Sequence, residues 1–240
     1  AAPFAVWLNG WRVQAAADDA TRSIMRAAAG NVAIDFTLTG RKDVVLQGNQ
    51  GYSQKGPDPG NASYYTSFTR LETQGVLTMA GQSFTVSGWS WQDHEYSTSA
   101  LSADQVGWDW FALQLDDHSE LKVFHIRRAD GSVDPFSAGS FVDAAGQVTH
   151  LSDDDFTIAV ERTWRSPASG AAYPARWTVT VPKLGLVLRL EPWLADQELN
   201  VSYSYWEGAV RIEGERLGHV VGGNGYVEMT GYAGSMQGQF

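Results

Sequence analysis

The chain has 240 residues, 43% hydrophobic and 18% charged, which supports a sizeable core and excludes a disordered segment. Seventeen Lys and Arg against 27 Asp and Glu leave a formal charge of −10, which argues against nucleic acid and against an anionic membrane surface. There is no cysteine, so disulfides and thiolate chemistry are excluded, and no apolar run approaches the ~18–20 residues of a membrane helix. Ten Trp, nine Tyr and ten Phe predict a β-rich core, because aromatics favour strands and bury large areas.

The chain opens Ala1-Ala2-Pro3-Phe4, without Met or a signal-like segment, as a processed N-terminus or a fragment would. Ala15 to Ala29 is Ala-rich, but its apolar stripe is poor and Gly30 stops it. Val32, Ile34, Phe36 and Leu38 then alternate with polar or small residues and predict a strand. Gly48 to Gly60 is the longest loop. It lacks the Gly-Lys-Ser/Thr of a phosphate loop, and its length suits a segment that covers a site or joins domains. Tyr64, Tyr65, Phe68 and Arg70 follow it as candidate cavity lining.

The densest feature is Gly88-Trp89-Ser90-Trp91-Gln92-Asp93-His94-Glu95-Tyr96. As a strand it places Trp89, Trp91, Asp93 and Glu95 on one face, two carboxylates beside two indoles. If that face is buried, a carboxyl would have a raised pKa and serve as an acid near neutral pH; if it is a rim, the carboxylates are structural. A domain boundary is expected near Ser97–Gln105, dividing 1–100 from 101–240. Trp108 to Leu115 is apolar on both sides, with Trp108, Trp110 and Ala112 opposite Asp109, Phe111, Leu113 and Leu115. The tryptophans read as core, and Asp109 as a structural charge that needs a donor.

Short turns follow at regular intervals, among them Asp130-Gly131-Ser132, a hairpin signal, and Gly222-Gly223-Asn224-Gly225. Ser152 before the Asp153-Asp154-Asp155 triplet predicts one helical turn; the triplet lacks the spaced ligands of a calcium loop. Trp177, Val179 and Val181 alternate up to Pro182. Tyr203, Tyr205 and Glu207 alternate opposite Trp206, making Glu207 a second candidate inward carboxylate. The five histidines, at 94, 118, 125, 150 and 219, have no zinc-site spacing, and no Gly-x-Ser-x-Gly elbow is present, so no metal and no cofactor are expected. Many short strands without intervening helices read as an all-β antiparallel meander forming a sandwich or barrel.

At several of these stretches the chain resembles the AttH family, lipocalin-like proteins related to carotenoid 1,2-hydratase. The resemblance rests on Gly51-Tyr52-Ser53-Gln54-Lys55-Gly56-Pro57, Asn61-Ala62-Ser63-Tyr64-Tyr65, Trp91-Gln92-Asp93-His94-Glu95 and Gln105-Val106-Gly107-Trp108-Asp109-Trp110-Phe111. It continues through Tyr205-Trp206-Glu207-Gly208-Ala209-Val210 and Gly225-Tyr226-Val227-Glu228-Met229-Thr230-Gly231-Tyr232. It implies antiparallel lipocalin-like β-barrels, with the last strands of a first barrel in 1–100 and a second barrel in 101–240. Family members are generally longer, with an N-terminal section absent here. Members close to this sequence usually have Met, Arg and Gly where this chain has Gln92, His94 and Ser97.

The family's hydratases protonate an isolated alkene and add water to the resulting cation, without a cofactor. The aromatic and Asp they use match Trp91 and Asp93, and Tyr65 is a looser match to a second aromatic. Two functions stand open. One is a protein of the bacterial periplasm or envelope that binds an apolar lipid or isoprenoid in a barrel cavity, lined by Tyr65, Trp89, Trp110, Tyr205 and Glu207. The other is a hydro-lyase of the carotenoid 1,2-hydratase type, with Asp93 as acid, Trp91 as cation stabiliser and Glu95 in support. A surface or attachment protein with a filled interior is a third. The expected partners are a small molecule and, through open sheet edges, a missing N-terminal part or a second copy.

Overall fold

The computed structural model describes residues 4–17, 19, 21–97 and 101–236, with 66% strand, all of it antiparallel where paired, and no α-helix among them. The first eight strands are β1 (Ala5–Leu8), β2 (Trp11–Ala15), β3 (Arg22–Ala29), β4 (Val32–Gly40), β5 (Val45–Leu46), β6 (Tyr52–Gln54), β7 (Ala62–Met79) and β8 (Gln82–Ser97). Then follow β9 (Gln105–Leu115), β10 (Glu120–Arg128), β11 (Ala138–Val142), β12 (Val148–Ser152) and β13 (Thr157–Arg165). The last five are β14 (Ala172–Val181), β15 (Leu186–Pro192), β16 (Glu198–Asn200), β17 (Ser204–Arg216) and β18 (His219–Met229). The fold is the lipocalin-like one. The chain forms two compact units, 1–44 with 67–93, and 45–66 with 94–240, so that β7 and β8 give residues to both. Ala1 to Pro3, and positions 98–100 of the expected boundary, lie outside the described residues.

In the first unit the strand order is β1-β2-β3-β4-β7, with β8 on the other side of β7. The Ala-rich stretch forms strand over Arg22–Ala29 and pairs along β4 from Val32 to Thr39. Alanine favours helix over strand by propensity, and pairing with the neighbouring strands overrides that preference here. Gly75 has no alternative: a Cβ there would lie 2.0 Å from the Asp35 carbonyl oxygen and 2.9 Å from Phe36.

The second unit is a curled antiparallel sheet. Its order is β12-β11-β10-β9-β18-β17-β15-β14-β13, and the β18–β9 ladder, Gly223–Met229 against Asp109–Leu115, joins the last strand to the first. Among the described residues the ring lacks one ladder, between β12 and β13, where the turn at Asp153–Asp155 carries the chain across. That turn is opened by Ser152, as its sequence predicts. The Ser152 N–H and hydroxyl both donate to Asp155, and Lys183 sits 2.8 Å from the same carboxylate, holding it down to about 2. The Asp130-Gly131 hairpin is also present, with Gly131 at φ +85°.

The interior of this ring is filled. Phe111, Leu113, Leu121, Val123, Trp177, Leu188, Leu190, Trp206 and Val227 are at most 1% exposed, and Trp177 meets Phe111 and Trp206 edge-on at 5.7 and 6.1 Å. Asp109 finds the donors its burial requires in Arg127 Nε at 3.2 Å and the Tyr232 hydroxyl at 3.0 Å. Burial nonetheless outweighs them and raises its carboxyl above the usual range.

His125 stacks on Phe156 with ring centres 5.2 Å apart, and burial pushes its imidazole down to about 4. The folded pKa lies below that of the unfolded chain. The stability this permits is therefore present above about pH 6.5 and lost as pH falls toward 4, on the order of 3 kcal/mol over the full range. His125→Phe is expected to remove about one proton's worth of slope from unfolding free energy between pH 6.5 and 4, measured by urea denaturation. An unchanged slope would rule the histidine out as its source.

Candidate functional site

With the interior filled, the chemistry of the second unit lies on the outer face of its sheet. Cross-strand register fixes which side chains meet there, because directly paired residues share a face. One row runs Ser152, Ala138, Phe124, Trp110, Glu228, Glu207 across β12, β11, β10, β9, β18 and β17. The next row on the same face runs His150, Ser140, Lys122, Ala112, Tyr226, Ala209. Glu207, expected to point inward, thus lies opposite Trp206, Val210 and Ile212, which take the interior.

The β10 end of this face is covered by the long loop and its flanking strands. Gly48 at φ +65° makes the first turn; a Cβ there would lie 2.4 Å from the Tyr52 carbonyl oxygen. Gln47, nearly fully buried, accepts a hydrogen bond from Ser140 Oγ at 2.9 Å. Beneath the cover lies Lys122, only 2% exposed, its ammonium 4.4 Å from the ring centres of both Tyr65 and Phe124. Lys55 approaches the same rings, 4.3 Å from Phe124 and 5.2 Å from Tyr65, and is 3.0 Å from Glu95. Burial works against the charged form of Glu95, yet Lys55, Ser63 and Lys122 outweigh it and hold the carboxyl below the usual range. Tyr65 is buried and its hydroxyl accepts from Trp110 Nε1 at 3.0 Å.

Beside these residues is an open cleft of about 400 Å³. Phe124, Pro135, Phe136 and Ala138 form its apolar wall, Gln47, Gly48, Asn49, Ser53 and Gln54 its other side, and Lys122 and His150 its titratable lining together with Tyr52. Burial, aided by the charge of Lys122, keeps His150 below its usual pKa.

The β17 end of the face is acidic and aromatic. Trp108 Nε1 donates to Glu228 at 2.5 Å, and Tyr226 donates to Glu207. Burial raises the Glu207 carboxyl despite that bond, and burial with the two glutamates raises the phenols of Tyr205 and Tyr226.

Of the residues singled out in the sequence, Tyr65, Trp110, Glu95, Tyr205 and Glu207 therefore belong to the second unit. Trp89, Trp91 and Asp93 belong to the first. There Asp93 Oδ1 accepts from Trp91 Nε1 at 2.7 Å and from Ser67 Oγ at 2.6 Å, and Arg70 lies 5.2 Å over the Trp89 ring. Lys122 and His150 lie in none of the stretches that carry the family resemblance, and Lys55, Trp108, Tyr226 and Glu228 lie within them without having been singled out as site residues. The available signal was that Lys122 shares its face with Phe124 and Ile126, on a strand whose other face is also apolar.

The AttH-like family model matches residues 1–232. The chain belongs to the AttH-like family. The crystal structure of a protein assigned to AttH from Nitrosomonas europaea is 34% identical with a TM-score of 0.86, over 95% of this chain and 70% of that one. Kievitone hydratase from Nectria haematococca is 18% identical with a TM-score of 0.78, over 98% and 72%. CghA, solved with Sch210972, is 11% identical with a TM-score of 0.60, over 93% and 68%. At such identities the last two show the fold alone. No curated protein matches the chain.

In this AttH-like chain, Tyr65→Phe is expected to leave the Trp110 indole N–H without its acceptor. The expected cost is about 1–2 kcal/mol in urea denaturation, with a shift in tryptophan emission. No loss of stability would mean that this bond contributes nothing to seating the 45–66 cover.

Proposed function

We propose that this AttH-like chain binds an apolar small molecule, a lipid or isoprenoid, in the cleft between Gln47–Gln54 and β10–β12. The observation that carries the reading is the cleft itself: about 400 Å³, an apolar wall of Phe124, Pro135, Phe136 and Ala138, and a few polar groups facing it. The site is on the outer face of the second sheet rather than inside its barrel, whose interior is taken up by side chains. The test is native mass spectrometry of the purified chain with lipid and isoprenoid extracts, followed by chemical analysis of what is released. Ala138→Trp, which fills the cleft, should weaken binding at least about ten-fold, measured with a neutral fluorescent probe such as Nile red. An unchanged dissociation constant would take the cleft out of this reading.

The second reading, hydration of an isoprenoid alkene without a cofactor, is favoured by Glu207. It is a carboxyl raised by burial, on a face that also carries Tyr226 and Tyr205. The name of kievitone hydratase, a relative in fold, points the same way. Glu207 would give its proton to one alkene carbon while the cation forms on the other, beside aromatic rings. Water then bonds to that carbon and returns its surplus proton to Glu207, so that the sum is one added water. Glu207→Gln should lower a measured hydration rate at least about 10²-fold. A loss confined to Asp93→Asn would instead give the proton donor role to the Trp91–Asp93 pair.

A further inference from the structure

β1 is the edge of the first unit's sheet: among the described residues it pairs with β2 and with no other strand. Native edges are commonly blunted by charge, proline or a bulge, and Ala5-Val6-Trp7-Leu8 carries none of these. Val6, Trp7 and Leu8 are instead 56, 69 and 66% exposed, with Phe4 and Trp11 beside them at 51 and 47%. Cross-strand register says which backbone groups are unused. The Ala15 N–H donates to the Phe4 carbonyl at 2.8 Å, so Phe4, and by alternation Val6 and Leu8, turn their backbone groups toward β2. The N–H and C=O of Ala5 and Trp7 therefore point away from the sheet. Side chains divide in the same way, with Phe4, Val6 and Leu8 on one face and Ala5 and Trp7 on the other. Trp11, the cross-strand partner of Leu8, extends the first of these faces.

Charge favours contact at this edge. Residues 1–44 and 67–93 hold six Lys and Arg against six Asp and Glu, so the net charge of −10 falls wholly on the second unit. Two copies that meet at β1 bring neutral units together, whereas contact through the second units works against their self-repulsion.

We propose that β1 is a self-association edge, on which a second copy of this chain pairs antiparallel about a two-fold axis at Val6. In that register Ala5 opposes the partner's Trp7 and Trp7 opposes the partner's Ala5, so the outward backbone groups of both are hydrogen-bonded and each large indole meets a small methyl group. On the other face Val6 opposes the partner's Val6, and Leu8 the partner's Phe4. A two-fold contact is self-complementary and closes, so association stops at the dimer. A bilayer would accept the same apolar side chains but would leave the open N–H and C=O groups unpaired. An edge of four residues makes an interface below the size of permanent dimers, so the dimer is reversible, with a dissociation constant on the order of 10 μM.

The test is sedimentation velocity of the whole chain from about 1 to about 200 μM, with and without phosphatidylcholine vesicles. A concentration-dependent dimer in the absence of vesicles is expected. A monomer throughout would overturn the proposal, and a monomer that co-sediments with vesicles would overturn it in favour of a lipid surface. Because the chain has no cysteine, Val6→Cys introduces a single thiol. Directly opposed, non-hydrogen-bonded partners have Cα atoms about 4.5 Å apart, within disulfide reach. Val6→Cys is therefore expected to oxidise to a cross-linked dimer at least about ten-fold faster than Leu8→Cys, whose thiols this register holds apart. Equal rates would overturn the pairing. Val6→Lys sets two ammonium groups opposite each other and is expected to abolish the dimer, while Val220→Lys, at an exposed position of the second unit, leaves it intact. The reverse pattern would move the interface to the second unit and overturn the proposal. Should Val6→Lys fail to fold, the unaltered chain and the two cysteine variants decide the matter.

Discussion

The filled interior of the second unit is the constraint on which the rest depends. Phe111, Trp177 and Trp206 occupy the middle of the ring so fully that no polar group could be added there without losing close-packed contacts. Strands β9 and β10 nevertheless carry apolar side chains on both faces. Phe124 and Ile126 are buried on the side away from the interior, which an uncovered sheet could not achieve. The residues from Val45 to Thr66 supply the cover. Their Gly48 turn and the Gln47–Ser140 hydrogen bond bring backbone and ring surface onto β10 and β11. Burial of Lys122 follows from that cover. Its stem lies along apolar surface and its ammonium sits over two ring faces, an arrangement that replaces part of the lost hydration.

The outer face is divided by charge. Lys122 and His150 stand at the β10–β12 end, Glu228 and Glu207 at the β18–β17 end, with Trp110 and Ala112 on β9 between them. Glu228 and Glu207 are direct cross-strand partners, an arrangement that repels when both are ionised. Trp108 donates to one and Tyr226 to the other, and burial raises the carboxyl of Glu207. At the opposite end the cationic field works in the other direction. It keeps Glu95 ionised and opposes protonation of His150.

The all-β class, the Ser152 turn, the Asp130-Gly131 hairpin and the two-faced character of Trp108 to Leu115 were legible in the sequence. Each depends on period-two alternation or on local turn chemistry. Tyr65 and Trp110 were read as lining a barrel cavity, and neither their place on the outer face nor their mutual hydrogen bond was legible. Lys122 shows the limit most clearly. In Glu120-Leu121-Lys122-Val123-Phe124 it reads as an ordinary outward lysine, and it is indeed on the outward face. Only the return of a segment some seventy residues earlier in the chain makes that face buried. Glu207 was read as inward because it alternates with Trp206, yet alternation says only that the two oppose each other. The large apolar ring took the interior, and the carboxylate was left on the covered outer side.

The same division of charge bears on how the binding and hydration readings relate. Adjacent strands are about 4.8 Å apart, so Lys122 on β10 and Tyr226 on β18 are separated by roughly 10 Å of sheet, and Glu207 on β17 is one strand further on. Between them Tyr65 lies over the face, its ring beside Lys122 and its hydroxyl bonded to Trp110, and Ala112 beneath is buried. A ligand of the β10–β12 cleft therefore does not reach Glu207 along the sheet, and the binding and hydration readings concern opposite ends of one face, separated by the cover that buries its middle.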